Sequence, residues 1–340
     1  MSMFLEHAWT TAPGKPKFNM MVAAAAIGVL LCSSCMAQSA PKKKNAIVNF
    51  EFLVNGRHVP FFVAKDKGYY KEQGLEVEFI PGSGQGVTLN TVGAGKAEFG
   101  VGDSLLLAQA IQSKVAVKSV MVLSDKHPAG FVSWTKDNIA TLKNYEGKTI
   151  SHAIGGGFKD LLRVAMEINK ADYGKVKILD VAPAVTQGLF LDGKVDLSSS
   201  TYETYVFVEA KAGPGRTRFL MLADHGLNIY GYLVYARTAL LQDDPDMVRA
   251  FVSATVKGMR DALRNPDEAA GILVKYHPNL NLAFTKVQAA RWAELNKDAK
   301  ELGRVVPSKM EETMRLSARV LGLTSSIKPD ELYTNEFLPR

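Results

Sequence analysis

The chain has 340 residues, 47% of them apolar and 22% charged, a globular composition that argues against wholesale disorder and suits two domains of ordinary size. Its formal net charge is +7. Lys42, Lys43 and Lys44 form one basic run, read as a solvated tail; elsewhere acids and bases are interspersed, and no basic stripe points to DNA or RNA.

The N-terminus reads as a targeting segment. Lys15 and Lys17 precede an apolar and small stretch over 20–31, and Cys35-Met36-Ala37 offers small residues before a cleavage point. The stretch is too short to span a bilayer comfortably. A signal peptide is therefore expected over 1–37 and a flexible tail over 38–45. Cys32 and Cys35 both fall inside the signal, so the remainder has no cysteine for a disulfide, a thiol nucleophile or a thiolate metal site. The rival is a lipoprotein anchored through Cys35. Ser33 and Ser34 suit that reading, but Cys32 stands where a leucine is usual.

From residue 46 the pattern alternates. Strands are expected over 46–53, 75–80, 97–101 and 115–123. Helices are expected over 58–67, from the glycine-rich turn 81–86 through Leu89 and Val92, and over 104–113. The grammar then restarts with a strand over 147–150, a second glycine-rich turn over 153–158 and a helix carrying Leu161, Ala165 and Ile168 on one face. Further strands are expected over 176–181, 195–197, 218–223 and 230–236, with helices from about Val185 and over 201–212. The last hundred residues read as helical. Asp244 caps a helix with Pro245 at its first position, Asn265-Pro266 starts the next, and amphipathic helices follow over 285–300 and 308–321. Strands alternating with helices imply α/β architecture, parallel sheets and right-handed crossovers.

Several stretches carry a family resemblance. Residues 58–77, HVPFFVAKDKGYYKEQGLEV, resemble the opening of ABC-importer binding proteins for thiamine pyrimidine precursors, sulfonates and nitrate. Residues 92–100, VGAGKAEFG, resemble that family's G-x-A-D segment, with Glu98 where Asp is usual. EGKTI at 146–150 resembles the opening of its second lobe, and LYTN at 332–335 its C-terminal tail. The resemblance implies a two-lobe periplasmic binding protein fold of type II, with a helical C-terminal part. Lobe 1 would be 46–130 plus 232–340 and lobe 2 would be 131–231, hinged near Gly130 and Leu227. It also implies a periplasmic, monomeric protein that closes on a small-molecule ligand and delivers it to an ABC-transporter membrane permease.

In open sheets of this kind, ligands bind beyond the carboxyl ends of the strands. The expected binding residues are accordingly Asn55, Arg57 and His58, then Ser83 and Gly84, then Asp103 and Ser104. In the second half they are Gly155, Gly156, Gly157 and Phe158, then Tyr202 and Glu203, then Asn228 and Tyr230. The glycine turns put free backbone N–H groups and a helix dipole toward the site. Tyr202 and Tyr230 are candidates to stack on a flat ring. Glu203, if it faces the pocket, favours a ligand with N–H donors. His58, Tyr202 and Tyr230 are about as well explained by packing, and Trp134 and Trp292 better so.

A pyrimidine related to thiamine is the favoured ligand, and a sulfonate, nitrate or aromatic carboxylate the alternative. No cofactor or metal is expected. The six histidines lack metal spacing, and neither a nucleotide loop nor a G-x-S-x-G elbow occurs. A related branch of the fold synthesises the thiamine pyrimidine and relies on a cysteine-rich motif, which is missing here; a non-enzyme is expected.

Overall fold

A computed structural model describes residues 44–154, 157–323 and 327–339. The expected signal peptide and most of the expected tail lie outside the described residues, as do Gly155 and Gly156. Lys44 and Asn45, read as the end of the tail, instead open the first strand, and the Lys44 ammonium pairs with Asp244 at 2.7 Å.

The strands are β1 Lys44–Asn49, β2 Leu75–Ile80, β3 Phe99–Asp103, β4 Val117–Val122, β5 Ala129–Trp134, β6 Thr149–Ala153, β7 Lys177–Val181, β8 Leu197–Thr201, β9 Thr217–Met221 and β10 Tyr232–Arg237. The helices are α1 Val59–Asp66, α2 Tyr69–Glu72, α3 Gln85–Gly93, α4 Ser104–Gln112, α5 Phe158–Ile168, α6 Thr186–Leu191, α7 Val206–Ala212, α8 Leu240–Asp243, α9 Pro245–Arg264, α10 Pro266–Tyr276, α11 Leu282–Asn296, α12 Pro307–Leu321 and α13 Pro329–Leu332.

The strands form two sheets, ordered β2-β1-β3-β10-β4 and β7-β6-β8-β5-β9. Each sheet is mixed rather than parallel throughout. β1 pairs β2 and β3 in parallel, while β10 runs antiparallel to β3 and β4. In the second sheet β6 pairs β7 and β8 in parallel, and β5 runs antiparallel to β8 and β9. The reason is topological. β5 and β10 are the strands that arrive from the other sheet. Each enters at the carboxyl edge of its parallel neighbours and so runs the opposite way. β5 was not anticipated as a strand at all.

The two crossings are bonded to each other. The Gly231 N–H donates to the Ser124 carbonyl at 2.9 Å, and the Ser124 N–H donates to the Tyr232 carbonyl at 3.0 Å. The first sheet packs on α1, α9, α10 and α11 through an aromatic core, with Phe99 stacked on Phe251 at 3.9 Å. α9 lies against α1 at Gly258, where a Cβ would fall 2.2 Å from the Pro60 carbonyl oxygen. The second core buries Phe131, Tyr145, Ile150 and Leu161, and takes Leu316 and Val320 from α12. Among the described residues no helix is long and apolar enough to cross a membrane.

Candidate functional site

β1 ends at Asn49, four residues short of its expected end, and the chain turns through Glu51 into a 3₁₀ turn at Gly56–His58. Asn55 caps that turn: its Oδ1 accepts from the Arg57 backbone N–H and from Arg57 Nε, both at 3.1 Å. The turn can sit there because residue 56 is glycine. A Cβ at Gly56 would lie 2.3 Å from Gln288 Cβ on α11, and the Gly56 N–H donates to Gln288 Oε1 at 3.0 Å.

This geometry buries Arg57 and His58 beside Glu51. Arg57 Nη1 lies 3.5 Å from Glu51 Oε1. His58 Nδ1 accepts from the Asn55 backbone N–H at 3.2 Å, which puts the ring proton on Nε2; Nε2 then donates to Glu51 Oε2 at 3.2 Å. Burial pushes the Glu51 carboxyl up, but the His58 ring and the Arg57 guanidinium more than offset it and hold the acid below its ordinary value. The Arg57 guanidinium covers the Tyr232 ring, 4.4 Å from its centroid. Burial opposes the Arg57 charge, yet Tyr232, Glu203 and Glu51 together raise its pKa.

Glu203 comes from the other sheet. The residues after β8 were read as a helix over 201–212, but the strand runs on to Thr201 and the helix starts at Val206. Tyr202 and Glu203 therefore occupy a turn, anchored by the Tyr202 N–H on the Pro128 carbonyl at 2.9 Å. Glu203 is fully buried, and neither carboxylate oxygen has a hydrogen-bond partner. An ionised carboxylate in that position carries a desolvation penalty that native interiors normally offset with direct partners. The floor is completed by Asp103 at the end of β3, which registers with Tyr232 across the antiparallel pair. Asp103 Oδ1 caps α4 by accepting from the Leu105 N–H at 2.9 Å, and Oδ2 meets His127 Nε2 at 2.8 Å. His127 Nδ1 accepts from the Ala129 N–H at 3.2 Å, repeating the His58 arrangement. Gln85 Oε1 accepts from the Asp103 N–H at 2.8 Å.

Arg57, His58, Asp103 and Glu203 of the expected set thus belong to one buried polar group, and Asn55 supports it. The remaining expected residues are placed otherwise. Ser104 Oγ donates to the Tyr230 carbonyl at 2.7 Å and is used up in binding α4 to the crossing. Tyr230 is buried in a core; its hydroxyl accepts from the Val306 N–H at 2.8 Å and Lys309 lies over its ring, so the expected stacking face is occupied. The Tyr202 ring is engaged by Arg291 at 5.0 Å, and its hydroxyl donates to Glu294 Oε2 at 2.7 Å. Ser83 and Asn228 are exposed in loops, and Gly84 precedes α3 at a φ of 140°. Gly157 precedes α5, while Phe158 packs against the second core.

Glu51, His127 and Tyr232 went unnoticed in the sequence. Glu51 was hidden in an expected strand, although an acid between Phe50 and Phe52 is a signal of a buried, partnered carboxylate. Among the described residues no group of three His, Cys, Asp or Glu side chains is arranged to hold a metal. The carboxylates of Glu51, Asp103 and Glu203 outnumber the guanidinium of Arg57. The group therefore carries more hydrogen-bond acceptors of negative character than positive charge.

Comparisons with known proteins bear on this. A family model described as NMT1/THI5 like matches residues 55–269. The riboflavin-binding protein RibY of Chloroflexus aurantiacus is 27% identical, with 88% of this chain and 87% of that protein covered. A 4-amino-5-hydroxymethyl-2-methylpyrimidine phosphate synthase of Legionella pneumophila is 23% identical, covering 72% and 77%. The formylaminopyrimidine-binding protein of Halalkalibacterium halodurans is 22% identical, covering 75% and 78%. Among solved structures, the periplasmic aliphatic sulphonate binding protein of Escherichia coli superposes with a TM-score of 0.68 at 14% identity, covering 83% and 87%. At that identity the likeness establishes the fold, the two-lobe periplasmic-binding-protein architecture.

Proposed function

The chain belongs to the NMT1/THI5-like family, and from that premise we propose that it is the extracytoplasmic solute-binding protein of an ABC importer, holding a planar nitrogen heterocycle between its lobes. The observation that carries this reading is Glu203. It is a buried carboxylate that follows β8 of the second sheet, within electrostatic reach of Arg57 and Tyr232 of the first, with two oxygens that make no hydrogen bond. A guest with N–H donors would satisfy them. Arg57, which has donors to spare beyond Asn55 and Glu51, would meet a ring nitrogen or carbonyl. A pyrimidine edge offers both kinds of group in one plane. Two of the relatives support such a guest, since riboflavin carries a fused pyrimidine-dione and the formylaminopyrimidine an amino-substituted ring. The thiamine-pyrimidine class remains the favoured ligand, with a flavin the larger member of the same chemistry.

The expectation of a small anion fares less well. A sulfonate or nitrate would enter beside Glu203 and Glu51 and meet like charge. The synthase reading has several relatives behind it, but residues 38–340 contain no cysteine, and the histidines of the site each hold a carboxylate and a backbone N–H. In this proposal the hinge is the bonded pair of crossings at 123–128 and 222–231, and a permease receives the closed form.

A thermal-shift panel tests the proposal. Aminopyrimidines and riboflavin should raise the melting temperature, by mass action on the folded state, and alkanesulfonates and nitrate should not. Glu203→Gln should abolish the heterocycle's shift. A shift with sulfonate that survives Glu203→Gln would reject the ligand class, and a new product on incubation would reject the transport role.

A further inference from the structure

α11 contacts the turn that carries Arg57, the first crossing and the turn that carries Glu203. Its Gln288 holds Gly56, next to Arg57, at 3.0 Å. Its Trp292 Nε1 donates to the Leu123 carbonyl at 3.1 Å, and Asn296 Oδ1 accepts from the Asp125 N–H at 3.0 Å, so the helix also fixes the first crossing. On the same helix Arg291 Nη1 donates to the Tyr202 carbonyl at 3.1 Å, while its Nη2 pairs with Glu209 of α7. The guanidinium lies 5.0 Å from the Tyr202 ring centroid and 4.8 Å from that of Tyr205. Glu294 accepts from the Tyr202 hydroxyl at 2.7 Å, and burial together with Glu294 pushes that phenol up to about 12, so it remains a donor. Phe284 meets Phe207 edge-on at 5.5 Å. These contacts tie the first-sheet side of the molecule to the turn that carries Glu203, and none of them uses a ligand.

We infer that α11 is the fastener that holds the Tyr202–Glu203 turn in its ligand-reading position, with Arg291 and Glu294 as positioning residues that set how long a guest is retained. This rests on the binding reading above. Arg291 suits the role because its fork meets a backbone carbonyl and a carboxylate at once and its plane covers two rings, which an ammonium cannot reproduce. Most of its side chain is shielded, at 13% exposure, so these bonds are less screened than an open surface pair. Loosening the fastener leaves Arg57 and Glu51 intact but lets Glu203 move away from them. The dissociation rate should therefore rise while the choice of ligand class is kept.

The test has two arms. With Cys32 and Cys35 changed to Ser, spin labels at Lys71→Cys in α2, just before β2 of the first sheet, and at Lys194→Cys in the bend before β8 of the second, both exposed, report the separation of the lobes without any ligand. The parent should show one narrow distance, and Arg291→Ala should add longer ones. In the second arm, release of riboflavin or an aminopyrimidine should speed up about tenfold in Arg291→Ala, with Arg291→Lys falling between. An unchanged distance distribution in Arg291→Ala would overturn the inference. If Arg291→Ala does not fold, Glu294→Gln and Tyr202→Phe decide the same question through the same distances. If neither probe binds the parent, the ligand proposal falls, and the distance arm still decides the role of α11.

Discussion

Two buried carboxylates, one from each half of this molecule, interact with the same arginine, Arg57, and they are partnered differently. Glu51, after β1, has His58 and Arg57 within 3.5 Å: Oε2 meets the His58 ring, and Oε1, which makes no hydrogen bond, is paired only by charge with Arg57. Glu203, after β8, is equally buried and has no hydrogen bond. The first arrangement is a prebuilt platform whose cost of desolvation is offset in part by its own histidine and arginine. The second leaves a deficit that, in the proposed reading, a guest fills. In that reading one half of the site serves stability and the other recognition.

The largest effect that could break this contrast is expected at Arg57, which serves both acids. Arg57→Ala strips an ion-pair partner from Glu51 and a positive charge with which Glu203 interacts, and should lower unfolding stability by about 3–5 kcal/mol in urea titrations. A loss near that of an exposed arginine would mean that the platform is not buried in solution.

Glu203→Gln should do the reverse. Removing an unbonded buried charge should leave stability unchanged or raise it by about 1 kcal/mol in the same titration, while binding of an N–H donor ligand weakens by about 2–3 kcal/mol. A drop in stability would show that Glu203 has a structural partner after all.

Acid sharpens the comparison next. Glu51 sits below its ordinary value of about 4.5 in the folded state. Its contribution is present above that unfolded value and is lost as pH falls through the folded one. Melting temperature should therefore decline below about pH 4.5, and Glu51→Gln should flatten that limb while lowering the plateau at neutral pH. An unaltered acid limb in the variant would remove Glu51 from the account.

The smallest effect concerns a second unsatisfied group in the second-sheet half. The Tyr145 hydroxyl is buried without a hydrogen bond in the core beneath β6. Unlike Glu203 it is uncharged and lies among apolar side chains, so Tyr145→Phe should be neutral or stabilising by up to about 1 kcal/mol in calorimetry.

Much of the frame was legible because it depends on local patterning. The helices at Pro245–Arg264 and Pro266–Tyr276 announce themselves by Asp244 and Asn265 as caps followed by proline, and the structure uses both side chains as caps. The strand Leu75–Ile80 was bounded correctly because its apolar residues are followed by a proline-glycine turn. Arg57, His58, Asp103 and Glu203 could be nominated because they follow strand ends. Tyr230 and Ser104 could not be sorted from them by the same rule, since a strand-end residue looks identical in sequence whether it faces a guest or a neighbouring segment.

What the amino-acid order determined by itself was the succession of strands, turns and capped helices, β5 excepted, since hydrophobic periodicity and capping act over a few residues. What only the tertiary structure decided was which strands reverse direction, that Glu51 and Tyr232 join Arg57, and that Arg291 reaches Tyr202 on the facing half. Those relations join residues up to 181 positions apart, Glu51 to Tyr232, whose electrostatic contact exists only once both sheets are folded. A carboxylate's partners are set by distance through space, and no spacing along the chain encodes them.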